Sequence, residues 1–309
     1  MLERAFSRPG QFFRGNLHTH CNASDGALEA AEVCRRYADE GYDFLCMSDH
    51  FIGRYGYPIT DTTAYRTNSF TTILGAEIHS GALGSGELWH LLAVGLPAQF
   101  APPAAPDFEA HQHQESGAEL AERARKAGAF VAIAHPQWYG LTAADAASIE
   151  AAHAVEIYNH GCHMESDRGD GTAILDQLLA QGRRLSACAT DDAHFVGSAP
   201  DHFGGWVMVK AEENMPEALL EALKDGAYYS STGPQLHDVE VTAETIRVHC
   251  SPATQVIALG QSSASTAVFG RSLTRAEIPL TRFREHGWLR LVVVDGAGHR
   301  AWSNPLWLD

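Results

Sequence analysis

The sequence predicts an α/β fold, with a mostly parallel sheet covered by helices, followed by a smaller β-rich unit. Two observations carry this. Over the first two-thirds of the 309 residues, short apolar runs alternate with segments of helical period; after about residue 229 the helices stop and β-rich runs broken by turn residues take over. Strands that are apolar throughout are those of a parallel sheet buried under helices, and the number of strand–helix units fits a barrel better than an open sheet. A chain of this length with 45% hydrophobic and 19% charged residues can bury a large core and is not disordered as a whole.

Residues 14–20 (RGNLHTH) read as the first strand and 27–40 as a helix, with Ser24 or Asp25 as its N-cap and Gly41 just past its end. Strands follow at 43–50, 71–80 and 90–95, then a Pro-rich polar surface loop at 100–117. A helix at 117–127 stops at Gly128 and leads into the strand FVAIAHP (130–136). A strand at 154–159, a helix at 172–181 stopped by Gly182, a strand at 184–194, a strand at 206–211 and a helix at 216–225 with Pro216 in its first turn complete the series. The expected division is a barrel over residues 1–229 and a small β-sandwich-like domain over 230–309, joined at the turn-rich YYSSTGP.

Composition narrows the function classes. Lys and Arg number 22 against 38 Asp and Glu, a net charge of −16, which disfavours duplex nucleic acid but not a small anionic substrate at a locally positive site. No apolar run approaches the roughly 18 residues of a membrane span, and the first residues carry no apolar stretch of a secretory leader; a cytoplasmic location is expected, with no membrane partner. The six cysteines form no CxxC pair and read as reduced. There is no P-loop and no GxGxxG turn after a strand, so NTPase and dinucleotide chemistry are not indicated.

The unusual number is 17 histidines, many at the ends of apolar runs. His18 and His20 end the first strand two residues apart, hence on one face. Asp25 follows in the next loop; His50 ends the second strand, Glu77 lies near the end of the third, His135 ends FVAIAHP, and Asp192 and His194 end the 184–194 strand. In α/β barrels the C-terminal strand ends form the active-site face. His90 starts its strand, but an antiparallel hairpin across the Gly-rich 81–88 segment would set it beside Glu77. Six imidazoles and three carboxylates exceed what one ion needs and can satisfy two or three divalent ions, Zn, Mn or Fe rather than Mg or Ca. Three such ions would outweigh three carboxylates, so the pocket is expected to be net positive.

The ordered set HTH (18–20), SDG (24–26), SDH (48–50), GAEIHS (75–80), HLLAVG (90–95), AHP (134–136) and DDAH (191–194) resembles the PHP (polymerase and histidinol phosphatase) superfamily over about residues 12–225. The resemblance implies a distorted (β/α)7 TIM-like barrel and a trinuclear metal site. By motif position, His18, His20, Glu77 and Asp192 would hold one ion, Glu77, His90 and His135 a second, and Asp25, His50 and His194 a third. The joint GAYYSSTGP (226–234) is similar to the branch that includes carbaryl-type carbamate and ester hydrolases.

The expected function is therefore a metal-dependent phosphoesterase. Hydroxide activated at a di- or trinuclear centre would cleave a small phosphorylated metabolite or nucleotide, with no protein nucleophile. The alternatives are a carboxylic ester or carbamate hydrolase with the same centre, and a catalytically silent metal-binding or interaction protein. Arg54, as a phosphate clamp, with His79, His160 and Arg168, are the candidate substrate-binding residues.

Overall fold

The structure, a computed structural model, describes residues 2–111 and 114–308; Gln112 and His113, in the expected surface loop, lie outside them. The chain begins with α1 (Leu2–Ser7), β1 (Gln11–Asn16), α2 (Ala30–Asp39), β2 (Phe44–Met47), β3 (His50–Phe51), β4 (Thr71–Ile78) and β5 (Leu91–Val94). It continues with α3 (Gly117–Lys126), β6 (Phe130–Ile133), α4 (Ala143–Ser148), β7 (Ala154–Asn159), α5 (His160–Ser166), α6 (Thr172–Ala180), β8 (Ser186–Thr190), β9 (Trp206–Ala211) and α7 (Pro216–Lys224). Seven strands follow: β10 (Tyr228–Ser231), β11 (Leu236–Val241), β12 (Thr245–Gly260), β13 (Ser265–Pro279), β14 (Trp288–Val294), β15 (Arg300–Ser303) and β16 (Leu306–Trp307).

Strands β9-β1-β2-β4-β5-β6-β7-β8 lie side by side. Pairs β1–β2, β2–β4, β6–β7 and β7–β8 are parallel. β9 runs antiparallel to β1, and β5 antiparallel to both β4 and β6. Among the described residues, regular pairing does not close β8 onto β1. Instead, one parallel bridge joins Thr19 to Ala193 beyond both strand ends, where Asp192 N–H donates to the His18 carbonyl and His20 N–H to that of Ala193, each at 2.9 Å. These contacts draw the HTH and DDAH motifs together.

Beyond β9 the sheet continues rather than stops. β10 pairs with β9 on one side and β15 on the other, and the path runs on through β14 and β12 to β11. The expected boundary at 229/230 falls inside β10. Trp288, Val292 and Trp302 pack in the same core cluster as Leu120, Ile157 and Leu175 of the first part. Arg290 of β14 grips Asp176 of α6 with two hydrogen bonds of 2.8 Å. Among the described residues no helix is long and apolar enough to cross a membrane.

Some elements differ from the sequence reading. β1 pairs only to Asn16; beyond it the His18 amide donates to Asn16 Oδ1, the Thr19 amide to Ser48 Oγ and the His20 amide to the Ala193 carbonyl. Helix α2 starts at Ala30 with Glu29 before it and no side-chain cap. Ser24 and Asp25, the expected caps, lie in the preceding loop, where Ser24 Oγ donates to Asp49 at 2.8 Å and Asp25 reaches the histidine cluster. The short helices α1, α4 and α5 carry too few residues for a periodic signal.

Candidate metal centre

The nine expected ligands lie in or just beyond the ends of several strands, with Asp25 in the loop after β1, and meet at one end of the sheet. β4 and β5 form an antiparallel pair, and His90 Nδ1 lies 2.7 Å from Glu77 Oε1. His135 Nε2 is 3.0 Å from the same oxygen. On its other side, Glu77 Oε2 is 3.6 Å from His18 Nε2 and 3.7 Å from His20 Nε2, and both nitrogens stand 3.0 Å from Asp192 Oδ1. Asp25 bridges to His50 Nε2 at 3.3 Å and to His194 Nε2 at 3.4 Å. His20 Nδ1 is 3.8 Å from Asp25, so His20 turns one nitrogen to each of two groups. His135 (φ 21°) and Asp192 (φ 57°) hold left-handed backbone, a strain that persists where surrounding contacts fix it.

Five of these separations, from 3.0 to 3.4 Å, suit ions. Two donors at about 2.1 Å from one cation stand about 3.0 to 3.4 Å apart, depending on the angle between them. The hydrogen-bond pattern points the same way. His18 Nε2 and Glu77 Oε2 are fully buried; their nearest polar neighbours are Asp192 Oδ1 at 3.0 Å and His50 Nδ1 at 2.7 Å, but neither atom makes a well-directed hydrogen bond among the described residues. The donor set of imidazole and carboxylate fits a divalent ion of the Zn, Mn or Fe kind.

A second layer of residues fixes the imidazoles. Glu156, fully buried on β7, takes a hydrogen bond from His18 Nδ1 at 2.9 Å, leaving Nε2 turned to the cluster. It also accepts from Thr190, the His135 amide and Asn159. Asn159 Nδ2 donates to Asp192 Oδ2 at 3.0 Å. His194 Nδ1 donates to the Asp192 carbonyl at 2.9 Å and His79 Nδ1 to that of Trp89 at 3.1 Å; a carbonyl only accepts, so both protons sit on Nδ1. His79 Nε2 is then free to accept from His50 Nδ1 at 2.9 Å, which leaves His50 Nε2 facing Asp25. Asp49 organises the loop after β1, accepting from the Cys21 amide, Ser24 and Thr60. Asp191 accepts from Asn16, Tyr37 and three amides at 203–205, and burial lifts its carboxyl to about 6 despite them.

Burial and mutual charge set the titration of the ion-free cluster. Burial opposes charge on Glu77, but His50, His90 and His79 outweigh it and hold the carboxyl well below the usual range. Asp192 is likewise held low against its burial by His18, His20 and His194. Burial also opposes charge on His50 and His194. Glu77 and Asp25 nevertheless lift His50 to about 10, and Asp25 and Asp192 lift His194 to about 9. Burial, with His194 and His50 nearby, drives His20 down to about 4.

No protein-family model matches this sequence, and no curated protein does. Solved structures do. A two-domain protein from Bacteroides vulgatus containing a predicted PHP-like metal-dependent phosphoesterase superposes with a TM-score of 0.54 over 97% of this chain and 98% of that one, at 14% identity. The chain has a PHP-like fold. Two further structures align more loosely. One is an amidohydrolase from Chromobacterium violaceum with bound sulfate (TM-score 0.43, 17% identity, 61% of this chain and 90% of that). The other is a protein assigned as a metal-dependent phosphoesterase from Bifidobacterium adolescentis (TM-score 0.44, 15% identity, 58% of this chain and 87% of that).

A cavity of about 490 Å³ opens over the cluster, with Asp25, His50, His90, His135, Asp192 and His194 in its floor. His18, His20 and Glu77 lie fully buried beneath. The four expected substrate-binding residues do not line it. Arg54 is exposed and leans over the Tyr55 ring. Arg168 is exposed, its guanidinium 3.5 Å from the Trp138 carbonyl. His160, bonded to Tyr158 Oη, lines a separate cleft, and His79 lies behind His50. The expected net-positive pocket also needs correcting, because buried Glu156 adds a fourth carboxylate and Glu87 and Glu165 stand at the mouth.

Glu156 and Asn159 went unread in the sequence; the available signal was one carboxylate inside the apolar strand AVEIYN, where an unpaired charge is too costly to bury.

Proposed function

We propose that this chain is a metal-dependent hydrolase that cleaves a phosphoester of a small molecule. It would hold two or three divalent ions of Mn, Fe or Zn on His18, His20, Asp25, His50, Glu77, His90, His135, Asp192 and His194. One observation carries the reading: nine imidazole and carboxylate groups converge, and the buried His18 Nε2 and Glu77 Oε2 make no well-directed hydrogen bond among the described residues. Divalent ions bound there would polarise the ester oxygens and acidify water. Glu156 and His79 would keep the ligand nitrogens of His18 and His50 deprotonated and aimed. Overall, one water is consumed: its oxygen joins phosphorus, the P–O bond to the alcohol breaks, and a proton ends on the alcohol. In this reading residues 1–229 form the catalytic unit as a distorted (β/α)7 barrel, and the β-sandwich-like part, 230–309, buttresses it.

A second reading, hydrolysis of a carboxylic ester or carbamate by the same centre, is favoured by the absence of any Lys or Arg from the cavity lining among the described residues. Turnover of p-nitrophenyl phosphate against p-nitrophenyl acetate, by protein loaded with Mn²⁺, Fe²⁺ or Zn²⁺, separates the two. Release from the phosphate substrate supports the first reading. Release from the acetate alone supports the second. With neither turned over, the catalytically silent alternative stands.

A further inference from the structure

The walls of the cavity over the cluster hold residues that the hydrolytic chemistry does not use. Phe108 and Trp138 flank His90, their ring centroids 6.5 and 5.6 Å from its own. Phe108 also meets the His50 ring edge-on at 4.9 Å, and Trp138 meets that of His135 at 5.3 Å. Leu88, Cys162 and Val196 extend this apolar lining. Large apolar side chains are seldom left open to water in this protein, yet Trp138 is 41% and Val196 53% exposed, both at this one mouth.

Charge at the mouth is of one sign. Glu87 and Glu165 are exposed there, neither paired with a cation among the described residues, and no Lys or Arg joins the lining. A negative group on the far end of a substrate would meet two carboxylates and no counter-charge. Only the cluster at the floor is built to receive an anion.

We propose that the cavity selects an ester whose organic part is aromatic and carries no negative charge, its ring held between Phe108 and Trp138 and its ester group directed to the cluster. Glu87 and Glu165 act as the filter against further anionic groups. This rests on the hydrolase reading only in placing the ester group at the cluster. The volume of about 490 Å³ suits one such ring and its ester.

The test is calorimetric binding of three non-hydrolysable anions to the metal-loaded protein: methylphosphonate, phenylphosphonate and 4-carboxyphenylphosphonate. Phenylphosphonate should bind about tenfold tighter than methylphosphonate, and the added carboxylate should remove most of that gain. Trp138→Ala should shrink the phenyl-to-methyl ratio, and the double substitution Glu87→Gln with Glu165→Gln should shrink the phenyl-to-carboxyphenyl ratio. Equal binding of phenyl- and methylphosphonate, no binding of phenylphosphonate, or an undiminished carboxylate penalty in the double variant would overturn the assignment. Phenyl phosphate hydrolysis, run in parallel, keeps the two failures apart. Selective binding without hydrolysis sinks the phosphoesterase reading alone; hydrolysis without selective binding sinks this proposal alone.

Discussion

Glu156 does at the residue scale what no ligand can do for itself: it fixes which nitrogen of His18 carries the proton. Glu156→Gln should therefore weaken metal binding by about ten- to a hundredfold while every proposed ligand remains. Competitive titration with a chelator measures this, and an unchanged affinity would reduce Glu156 to a packing residue. Metal loading should also release protons. Without ions His50 titrates at about 10 and His194 at about 9, so both are charged at pH 7, and coordination needs them neutral. Calorimetry in buffers of different ionisation enthalpy should show proton release at pH 7 and weaker binding as pH falls; a buffer-independent heat would contradict it. The positions that converge were legible because strand ends and the two-residue spacing of His18 and His20 are sequence properties. Glu156 and His79 were not read in their positioning roles, since those come from neighbours 138 and 29 positions away in the chain.

At the scale of elements, strands and long helices announce themselves by period, whereas α4 and α5, of six and seven residues, do not. Helix α4 depends instead on its capping box between Thr142 and Asp145. The reversal of β5 was legible only through the Gly-rich 81–88 segment. One imidazole between elements gives a pH test. His153, just before β7, accepts from the Val131 amide of β6 at 3.0 Å, and its carbonyl accepts from the Ser186 amide of β8 at 2.9 Å. Burial, with Arg125 and Lys224 nearby, lowers its pKa to about 4. The unfolded chain, titrating near 6.5, takes up the proton first, so this contribution to stability is complete above about 6.5 and is lost as pH falls towards 4. His153→Asn keeps an acceptor for Val131 without a titrating ring. Urea unfolding at pH 7.5 and 5 should show the variant losing less stability than the wild type across that interval; equal losses would rule this linkage out.

Across the whole molecule, the change of texture after residue 229 was plain in the sequence, but the continuity of the sheet through β9, β10 and β15 was not, because those pairings join distant segments. Asn304 adds to the join, donating to the carbonyls of Gly226 and Tyr228 and accepting from the Ala187 amide. Arg290→Ala removes a bidentate pair in which Arg290 is buried and Asp176 partly exposed, and should cost about 1–2 kcal/mol, lowering the midpoint of a single thermal transition. Two separate transitions in the wild type would instead mean that the parts unfold independently. Metal content tests most directly whether the cluster holds ions. After loading with Mn²⁺, Fe²⁺ or Zn²⁺ and desalting, elemental analysis should find two or three ions per wild-type chain, and fewer in His18→Ala and Asp192→Ala at unchanged circular dichroism. A wild-type chain that retains no ion, or variants that retain as many, would contradict ion binding there.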